Sequence, residues 1–170
     1  MTERQTKAEN IMKNMITIRT YQAGDLAELQ RITIESFGGI SLDNLLEAKF
    51  GAWSDHDWRV SKAGQIADDC VANPSGVFVA MLDDTIIGYI TTRVDAVSLK
   101  GRIPNLAVSE KARGSGLGRR LIDHALDYFR TQGMKIAQIE TMATNPIGQH
   151  LYPSCGFEEI SRQVHYAMKL

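Results

Sequence analysis

The segment 106–120, LAVSEKARGSGLGRR, constrains this chain more than any other. An apolar run ends at Val108, glycines stand at the alternate positions 114, 116 and 118, and an amphipathic helical pattern begins at Leu117. Glycines let the backbone approach a ligand closely, and the free N–H groups in the first turn of a helix attract anions. The pattern therefore predicts a strand, a tight turn and a helix whose start binds phosphate.

The charge of the same segment suits an anion, but the spacing excludes two common phosphate motifs. Its basic side chains, with no acidic one among residues 111–120, are Lys111, Arg113, Arg119 and Arg120. Counted from Gly114, the P-loop and the dinucleotide-binding fingerprint both require glycine at position 119, where this chain has Arg119. The ligand is therefore expected to be a phosphate compound bound by another motif.

Two segments together resemble one known family. Arg113, Gly116 and Gly118, placed after Leu-Ala-Val, resemble the coenzyme A signature of the Gcn5-related N-acetyltransferase (GNAT) superfamily. Residues 145–157, NPIGQHLYPSCGF, resemble its motif of Asn, a short helix with Leu-Tyr, and Gly-Phe. One predicted helix and one predicted strand separate the motifs, as in that family. The resemblance extends over essentially the whole of residues 16–170 and is least specific in region 38–75.

The resemblance implies acetyl-CoA as co-substrate. The pantetheine arm would pair with the backbone of residues 106–108 as an added strand, and the pyrophosphate would bind the amides from Arg113 to Arg119. Asn145 would hold the pantetheine by its side-chain amide. The implied cofactor-binding residues are Leu106, Ala107, Val108, Arg113, Gly114, Ser115, Gly116, Leu117, Gly118, Arg119, Asn145 and Tyr152.

The reaction implied by the resemblance is direct attack of a primary amine on the acetyl group, without a covalent enzyme intermediate. Tyr152 would act as general acid toward the leaving thiolate, because a phenol stays protonated at neutral pH. The N–H of Val108 would polarise the thioester carbonyl. Ser154 and Cys155 lack the Gly-x-Ser-x-Gly frame of a nucleophile, so neither is assigned that role.

The sequence departs from the family pattern at the general base. Many relatives carry a carboxylate just before the Leu-Ala-Val run, but residues 102–105 are Arg-Ile-Pro-Asn. Glu35, Asp95 and Glu140 are candidate bases on neighbouring elements, and Asn105 could order a water. No residue is assigned as base, and a substrate amine that loses its proton easily is the alternative.

The sequence does not identify the acceptor amine. The cluster 53–58, WSDHDW, could bind a cationic amine through Trp53, Trp58, Asp55 or Asp57, or could simply anchor a helix. A small-molecule amine is one acceptor, and a protein N-terminus or lysine is another. A coenzyme A-binding sensor without catalysis is an alternative of a different class.

Composition limits the remaining classes. A formal charge of -1, from 19 basic and 20 acidic residues, disfavours nucleic-acid and membrane-surface partners. Cys70 and Cys155 have no Cys or His at metal-ligand spacing, so no metal site or disulfide is expected. No apolar run reaches eighteen residues. A cytoplasmic monomer or homodimer is expected.

Periodicity predicts an α/β fold. Residues 1–14 are expected to be a flexible leader, and residues 15–170 a single domain. The predicted strands are 16–20, 77–82, 86–90, 102–108, 135–141, 157–160 and 163–169, and the predicted helices are 24–37, 41–50, 56–72, 117–132 and a short one from Pro146. The family resemblance implies a mixed, mostly antiparallel sheet of six to seven strands, with helices on both faces and strands 4 and 5 splayed.

Overall fold

The computed structural model describes residues 15–170, and the predicted leader 1–14 lies outside them. The strands are β1 (Ile16–Thr20), β2 (Phe78–Leu82), β3 (Thr85–Asp95), β4 (Lys100–Val108) and β5 (Ile136–Ile139). The helices are α1 (Leu26–Phe37), α2 (Leu42–Phe50), α3 (Trp58–Ala72), α4 (Leu117–Thr131) and α5 (Pro146–Ser154). These elements match the predicted ones up to α5, with boundaries shifted by a few residues.

The five strands form one sheet in the order β1-β2-β3-β4-β5. The first three neighbouring pairs are antiparallel, whereas β4 and β5 are parallel. A parallel pair needs a crossover connection, and α4 supplies it between β4 and β5. The predicted mixed, mostly antiparallel sheet is confirmed.

The predicted sixth and seventh strands, at 157–160 and 163–169, are wrong. Residues 157–170 carry no strand pairing in the structure. The alternating apolar side chains that suggested the last strand are exposed: Val164 by 69%, Tyr166 by 93% and Met168 by 78%. An alternating pattern describes a strand with one apolar face, but a strand also needs a neighbouring edge, and within residues 15–170 this segment has none.

Helices cover both faces of the sheet, as expected. On one face, α1 and α3 place Leu29, Ile32 and Ile66 against Val79 and Tyr89. The opposite face is covered by α4, whose buried side chains are Leu117, Leu121, Ile122, Ala125 and Phe129. Successive strand residues point to opposite faces, so each central strand contributes to both cores.

Two capping residues define the middle helices. Ser41 Oγ accepts the N–H of Asn44 at 3.2 Å, which begins α2, and an Asp57 carboxylate oxygen accepts the N–H of Arg59 at 2.8 Å, which begins α3. Side-chain caps of this kind satisfy N–H groups that have no partner within the helix. The predicted start of the third helix, at residue 56, therefore lies two residues early.

Candidate functional site

The glycine turn leads directly into α4. Gly114 and Gly116 have φ angles of 77° and 79°, in the left-handed region that favours glycine. Gly116 is the N-cap residue of α4, and no described side chain caps this helix. The Ser115 hydroxyl donates to the carbonyl of Ala112 at 2.7 Å, which holds the turn closed. The N–H groups of the first helical turn are thus left to an anion or to water.

The four basic side chains of this segment divide into two pairs. Arg119 donates to the carbonyl and the hydroxyl of Ser154, each at 2.7 Å, and so links α4 to the end of α5. Arg120 donates to the carbonyl of Ile16 at 2.8 Å, toward β1. Lys111 and Arg113 are exposed at the turn itself. The sequence suggested four positive charges around the ligand. The structure leaves two at the turn, because Arg119 and Arg120 bind neighbouring elements instead.

The second half of β4 has an open edge toward β5. Pairing between β4 and β5 ends at Ile103 and Ile139, whereas pairing between β4 and β3 continues to Val108. The N–H of Ser109 donates to the carbonyl of Ile87 at 2.9 Å. Hydrogen-bonded pairs alternate in an antiparallel ladder, so the backbone groups of Leu106 and Val108 point away from β3, into the open edge.

A β-bulge lies where the two strands part. Thr91 pairs with Asn105 and Arg93 with Arg102, so Ile103 and Pro104 both lie opposite Thr92. A bulge bends the strand that carries the extra residue and increases its twist. Pro104 has no N–H to offer to a neighbour. Both features lie where the pairing of β4 with β5 ends, and the predicted splaying of these two strands stays a prediction.

Asn145 is placed at the start of α5. Its side-chain oxygen accepts the N–H of Gly148 at 3.3 Å, and its side-chain nitrogen donates to the Thr141 hydroxyl at 2.9 Å. The residue is therefore an N-cap, a contact that the sequence motif did not specify. Its binding of pantetheine stays a prediction.

Tyr152 lies on α5, half-buried against the core under α4. Its ring packs edge-on against Phe157, with 6.3 Å between ring centres. Burial raises the pKa of Tyr152 to about 12, with a smaller contribution from Cys155. Burial also raises the pKa of the Cys155 thiol, which disfavours the thiolate that a nucleophile needs. The phenol is thus protonated throughout the physiological pH range.

The candidate bases are all engaged in contacts of their own. Glu35 accepts the N–H of Glu110 at 2.7 Å, and its pKa is lowered chiefly by that bond and further by Arg31. Asp95 accepts the hydroxyl of Ser98 within an exposed turn, and the pKa of Asp95 is lowered as a result. Glu140 pairs with Arg102 at 2.8 Å on the surface. The structure therefore singles out none of these three residues.

Sequence reasoning missed a buried polar group beside the bulge. Asp69 and Lys62, both on α3, are only 4% and 8% exposed, and both contact the side chain of Asn105. These two contacts occupy the side-chain amide of Asn105, so its proposed role in ordering a water is disfavoured. A signal was present, because Lys62 and Asp69 fall on the same helical stripe as the buried Ile66. Charges on an otherwise apolar stripe indicate a buried polar contact.

The aromatic cluster lines a surface cavity of about 340 Å³. Trp58 is buried and packs within the protein, whereas Trp53 is 52% exposed. The cavity is lined by Asp43, Trp53, Ser54, His56, Asp57, Trp58, Val60 and Ser61. Its wall thus combines an accessible aromatic ring with carboxylates, the composition that suits an organic cation.

Features of two other classes of protein are absent from the described residues. Within residues 15–170, no three His, Cys, Asp or Glu side chains are grouped so as to hold a metal ion. The helices of that same range include none with the length and apolar character needed to cross a bilayer. Cys70 and Cys155 are free thiols.

Comparison with known proteins gives a family match. The sequence profile of the Acetyltransferase (GNAT) family matches residues 40–157. A mycothiol acetyltransferase of Thermomonospora curvata is 29% identical over 152 residues, which are 89% of this chain and 47% of that protein. An uncharacterized N-acetyltransferase of Archaeoglobus fulgidus is 26% identical over 142 residues, covering 81% of this chain and 89% of that protein.

Solved structures show the same fold. The PaiA N-acetyltransferase of Thermoplasma acidophilum, solved in complex with coenzyme A, superposes with a TM-score of 0.68 at 20% identity. The match covers 87% of this chain and 92% of the other. By contrast, the chain spans about half the length of the curated mycothiol acetyltransferases that it matches.

Proposed function

Because the chain belongs to the acetyltransferase (GNAT) family, we propose that it transfers the acetyl group of acetyl-CoA to a primary amine. One observation carries the proposal: the open edge of β4 at residues 106–108 leads directly into the uncapped start of α4. A strand edge binds an amide-containing arm, and a helix start binds a phosphate. The pantetheine and pyrophosphate parts of coenzyme A require these two groups in this order.

In this proposal different residues bind different parts of the cofactor. The outward backbone groups of Leu106 and the N–H of Val108 bind the pantetheine arm, since the Val108 carbonyl accepts the Ser36 hydroxyl at 3.3 Å. Ala107 faces β3 and keeps the edge in place. The amides that bind the pyrophosphate belong to Gly114, Ser115, Gly116, Leu117, Gly118 and Arg119. The N–H of Arg113, which the sequence also suggested, instead donates to the carbonyl of Glu110 at 3.2 Å. Exposed Lys111 and Arg113 add positive charge at the turn. When bound, acetyl-CoA supplies an activated acetyl thioester.

Two residues of the second motif complete the site. Tyr152 holds a proton that it gives to the sulfur of the leaving group as general acid, and its raised pKa keeps that proton in place beforehand. Asn145, fixed by its capping bonds, offers its remaining hydrogen-bonding capacity to the pantetheine. The N–H of Val108 faces the reacting carbonyl.

The lack of an assigned general base limits which amines can serve as the acceptor. Deprotonating a lysine-like amine of pKa about 10.4 at pH 7 costs roughly 4.6 kcal/mol, whereas an amine of pKa near 7.8 costs roughly 1.1 kcal/mol. No carboxylate of residues 15–170 is assigned as base, so we propose an acceptor amine of low pKa. The relatives named mycothiol acetyltransferase favour a small molecule over a protein acceptor.

We place the acceptor's cationic or polar part in the cavity beside Trp53. The exposed indole and the Asp43 carboxylate favour an organic cation there, whereas Asp57 is already paired with Arg59 at 2.8 Å. Replacing Trp53 with alanine should then raise KM for the amine about five- to thirtyfold without altering the affinity for acetyl-CoA, since one cation–π contact contributes about 1–2 kcal/mol. An unchanged KM would remove this cavity from the acceptor site.

The first experiment is thermal unfolding with and without acetyl-CoA. At a hundred times the dissociation constant, binding should stabilise the protein by about 2.7 kcal/mol and raise Tm by roughly 5–11 °C. A screen of amines that records thiol release should then give turnover. Binding without turnover on any small amine or peptide would favour the coenzyme A sensor, and absence of a shift would contradict the proposed site.

A further inference from the structure

A buried carboxylate from α3 reaches the bulge where β4 leaves β5. Asp69 is 4% exposed, and both of its oxygens accept hydrogen bonds. One oxygen accepts the Thr91 hydroxyl and the side-chain amide of Asn105, each at 2.7 Å. The other accepts two N–H groups of the Arg93 guanidinium, at 2.7 and 3.1 Å. Residues 91, 93 and 105 are three of the four that flank the bulge on its two strands, the fourth being Arg102.

Lys62 completes the charge arrangement from the same helix. Its ammonium donates to the side-chain oxygen of Asn105 at 2.7 Å and lies 4.3 Å from the centre of the Phe37 ring. Asn105 therefore bridges Lys62 and Asp69. Burial lowers the pKa of Lys62, and the nearby carboxylates of Asp43 and Asp69 oppose that shift.

Backbone atoms of the bulge are also held by this group. The N–H of Asn105 donates to the Thr91 hydroxyl oxygen at 3.1 Å, so a side chain provides the acceptor at this point of the ladder. Asn73, the residue after α3, donates to the carbonyl and the hydroxyl of Thr92 at 3.1 and 3.0 Å. Three consecutive residues of β3 are thus tied to α3 or its end.

A buried group of charges such as this one adds little to the stability of a protein. Desolvation of buried charges often cancels their attraction, and apolar replacements of similar volume can be equally stable. A bulge, however, can shift along a strand unless specific contacts fix it, and a shift by one residue exchanges the inward and outward backbone groups. The hydrogen bonds of the buried group hold both strands at the bulge, which lies between Arg102 and Asn105.

We propose that Asp69, supported by Lys62, is a positioning residue for the acyl-donor site. It fixes the bulge so that Leu106 and Val108, and not Ala107, present their backbone groups at the open edge. The inference rests on the proposed function and deepens it. A carboxylate accepts all four bonds observed at Asp69, whereas an asparagine amide would present a donor to Arg93 and lose the charge.

The test compares Asp69→Asn with Asp25→Asn in acetyl-CoA binding by calorimetry. Asp25 is a matched control, because it is 8% exposed and its carboxylate accepts two bonds from Arg19 at 2.7 and 2.9 Å, away from the bulge. Both variants should unfold at lower temperature. Only Asp69→Asn should weaken acetyl-CoA binding, by about ten- to a hundredfold, since a displacement of the edge on the order of 1 Å suffices for such a loss.

Amide hydrogen exchange separates this inference from the proposed function, because it requires no cofactor. In Asp69→Asn the amide of Asn105 should exchange at least about tenfold faster relative to global unfolding, and the amides of β1 should not. Unaltered exchange and binding in a folded Asp69→Asn protein would overturn the inference. Wild-type protein that fails to bind acetyl-CoA would overturn the proposed function instead.

A second pair of variants decides the matter if Asp69→Asn does not fold. Thr91→Val keeps the shape of the side chain but removes the hydroxyl between Asp69 and the N–H of Asn105. Thr91→Ser retains that hydroxyl. We expect weaker acetyl-CoA binding and faster exchange at Asn105 in Thr91→Val and near wild-type values in Thr91→Ser. Equal behaviour of the two variants would contradict the assignment.

Discussion

The two halves of β4 have different neighbours although they form one strand. Residues 100–102 pair with β3 on one side and residues 100–103 with β5 on the other, whereas residues 105–108 pair with β3 alone. In the first half, Gly101 is buried against the ring of Phe129. In the second, backbone groups of Leu106 and Val108 point to an open edge. The comparison shows that the loss of pairing with β5 coincides with one extra residue and one proline, which leaves the edge that we propose for the cofactor.

The two halves of β4 also differ in the contacts that fix their position. The first is fixed by ladder hydrogen bonds and apolar packing under α4. The second depends on polar groups of α3, above all Asp69, at the bulge that begins it. Changes in the first half should therefore alter stability, and changes at or around the second should alter binding and turnover.

The largest expected effect is on turnover at the open half. Tyr152→Phe removes the proposed acid but keeps the ring that packs on Phe157, so kcat should fall about a hundredfold or more. The affinity for acetyl-CoA and Tm should stay near the wild-type values. Steady-state kinetics with any accepted amine would measure this, and an unchanged kcat would remove Tyr152 from the mechanism.

At the closed half the effect should be on stability alone. A methyl group on Gly101 would stand 2.5 Å from Cδ1 of Phe129 within the core, so Gly101→Ala should lower the free energy of unfolding by about 1–3 kcal/mol. Denaturant unfolding measures the loss. Because β5 and α4 absorb the strain, calorimetry should find acetyl-CoA affinity unchanged, and a parallel loss of affinity would break the distinction between the halves.

A pair of glycines at the two ends of α4 sharpens the comparison further. Gly116 and Gly133 have φ angles of 79° and 74°, so alanine at either should cost about 1 kcal/mol of stability. Only Gly116 lies in the turn that we propose for the pyrophosphate. Gly116→Ala should weaken acetyl-CoA binding and Gly133→Ala should not, as measured by calorimetry. Equal affinities in the two variants would contradict a phosphate site at this turn.

The smallest effect concerns the end of the open half and its response to acid. Glu35 accepts the N–H of Glu110, two residues after β4, and its pKa in the folded protein lies below its ordinary value. A carboxylate with a lowered folded-state pKa contributes stability above its unfolded pKa of about 4.3, and that stability is lost as pH falls through the folded value. Thermal unfolding from pH 7 to 3 should therefore show a shallower acid loss in Glu35→Gln than in wild type. Identical curves would show that this bond adds no stability.

Prediction from the sequence was most successful where structure depends on neighbours in the chain. The turn at residues 113–118 and α4 follow from glycine φ preferences and helical periodicity, which act over a few residues. The predicted strand at 163–169 failed because periodicity cannot supply a partner: Val164 and Tyr166 alternate correctly and yet remain exposed. The same limit applies to Asn145, whose cap depends on Thr141 and Gly148.

The family, the order of the elements and the glycine turn that we propose for the pyrophosphate follow from the sequence alone. The side chains that hold the point where β4 parts from β5 are known only from the packed structure. Lys62 lies 43 residues and Asp69 36 residues before Asn105, so no local pattern relates them. Their role becomes visible only when α3 packs on the sheet, because a buried charge is stable only beside the partners that the fold brings to it.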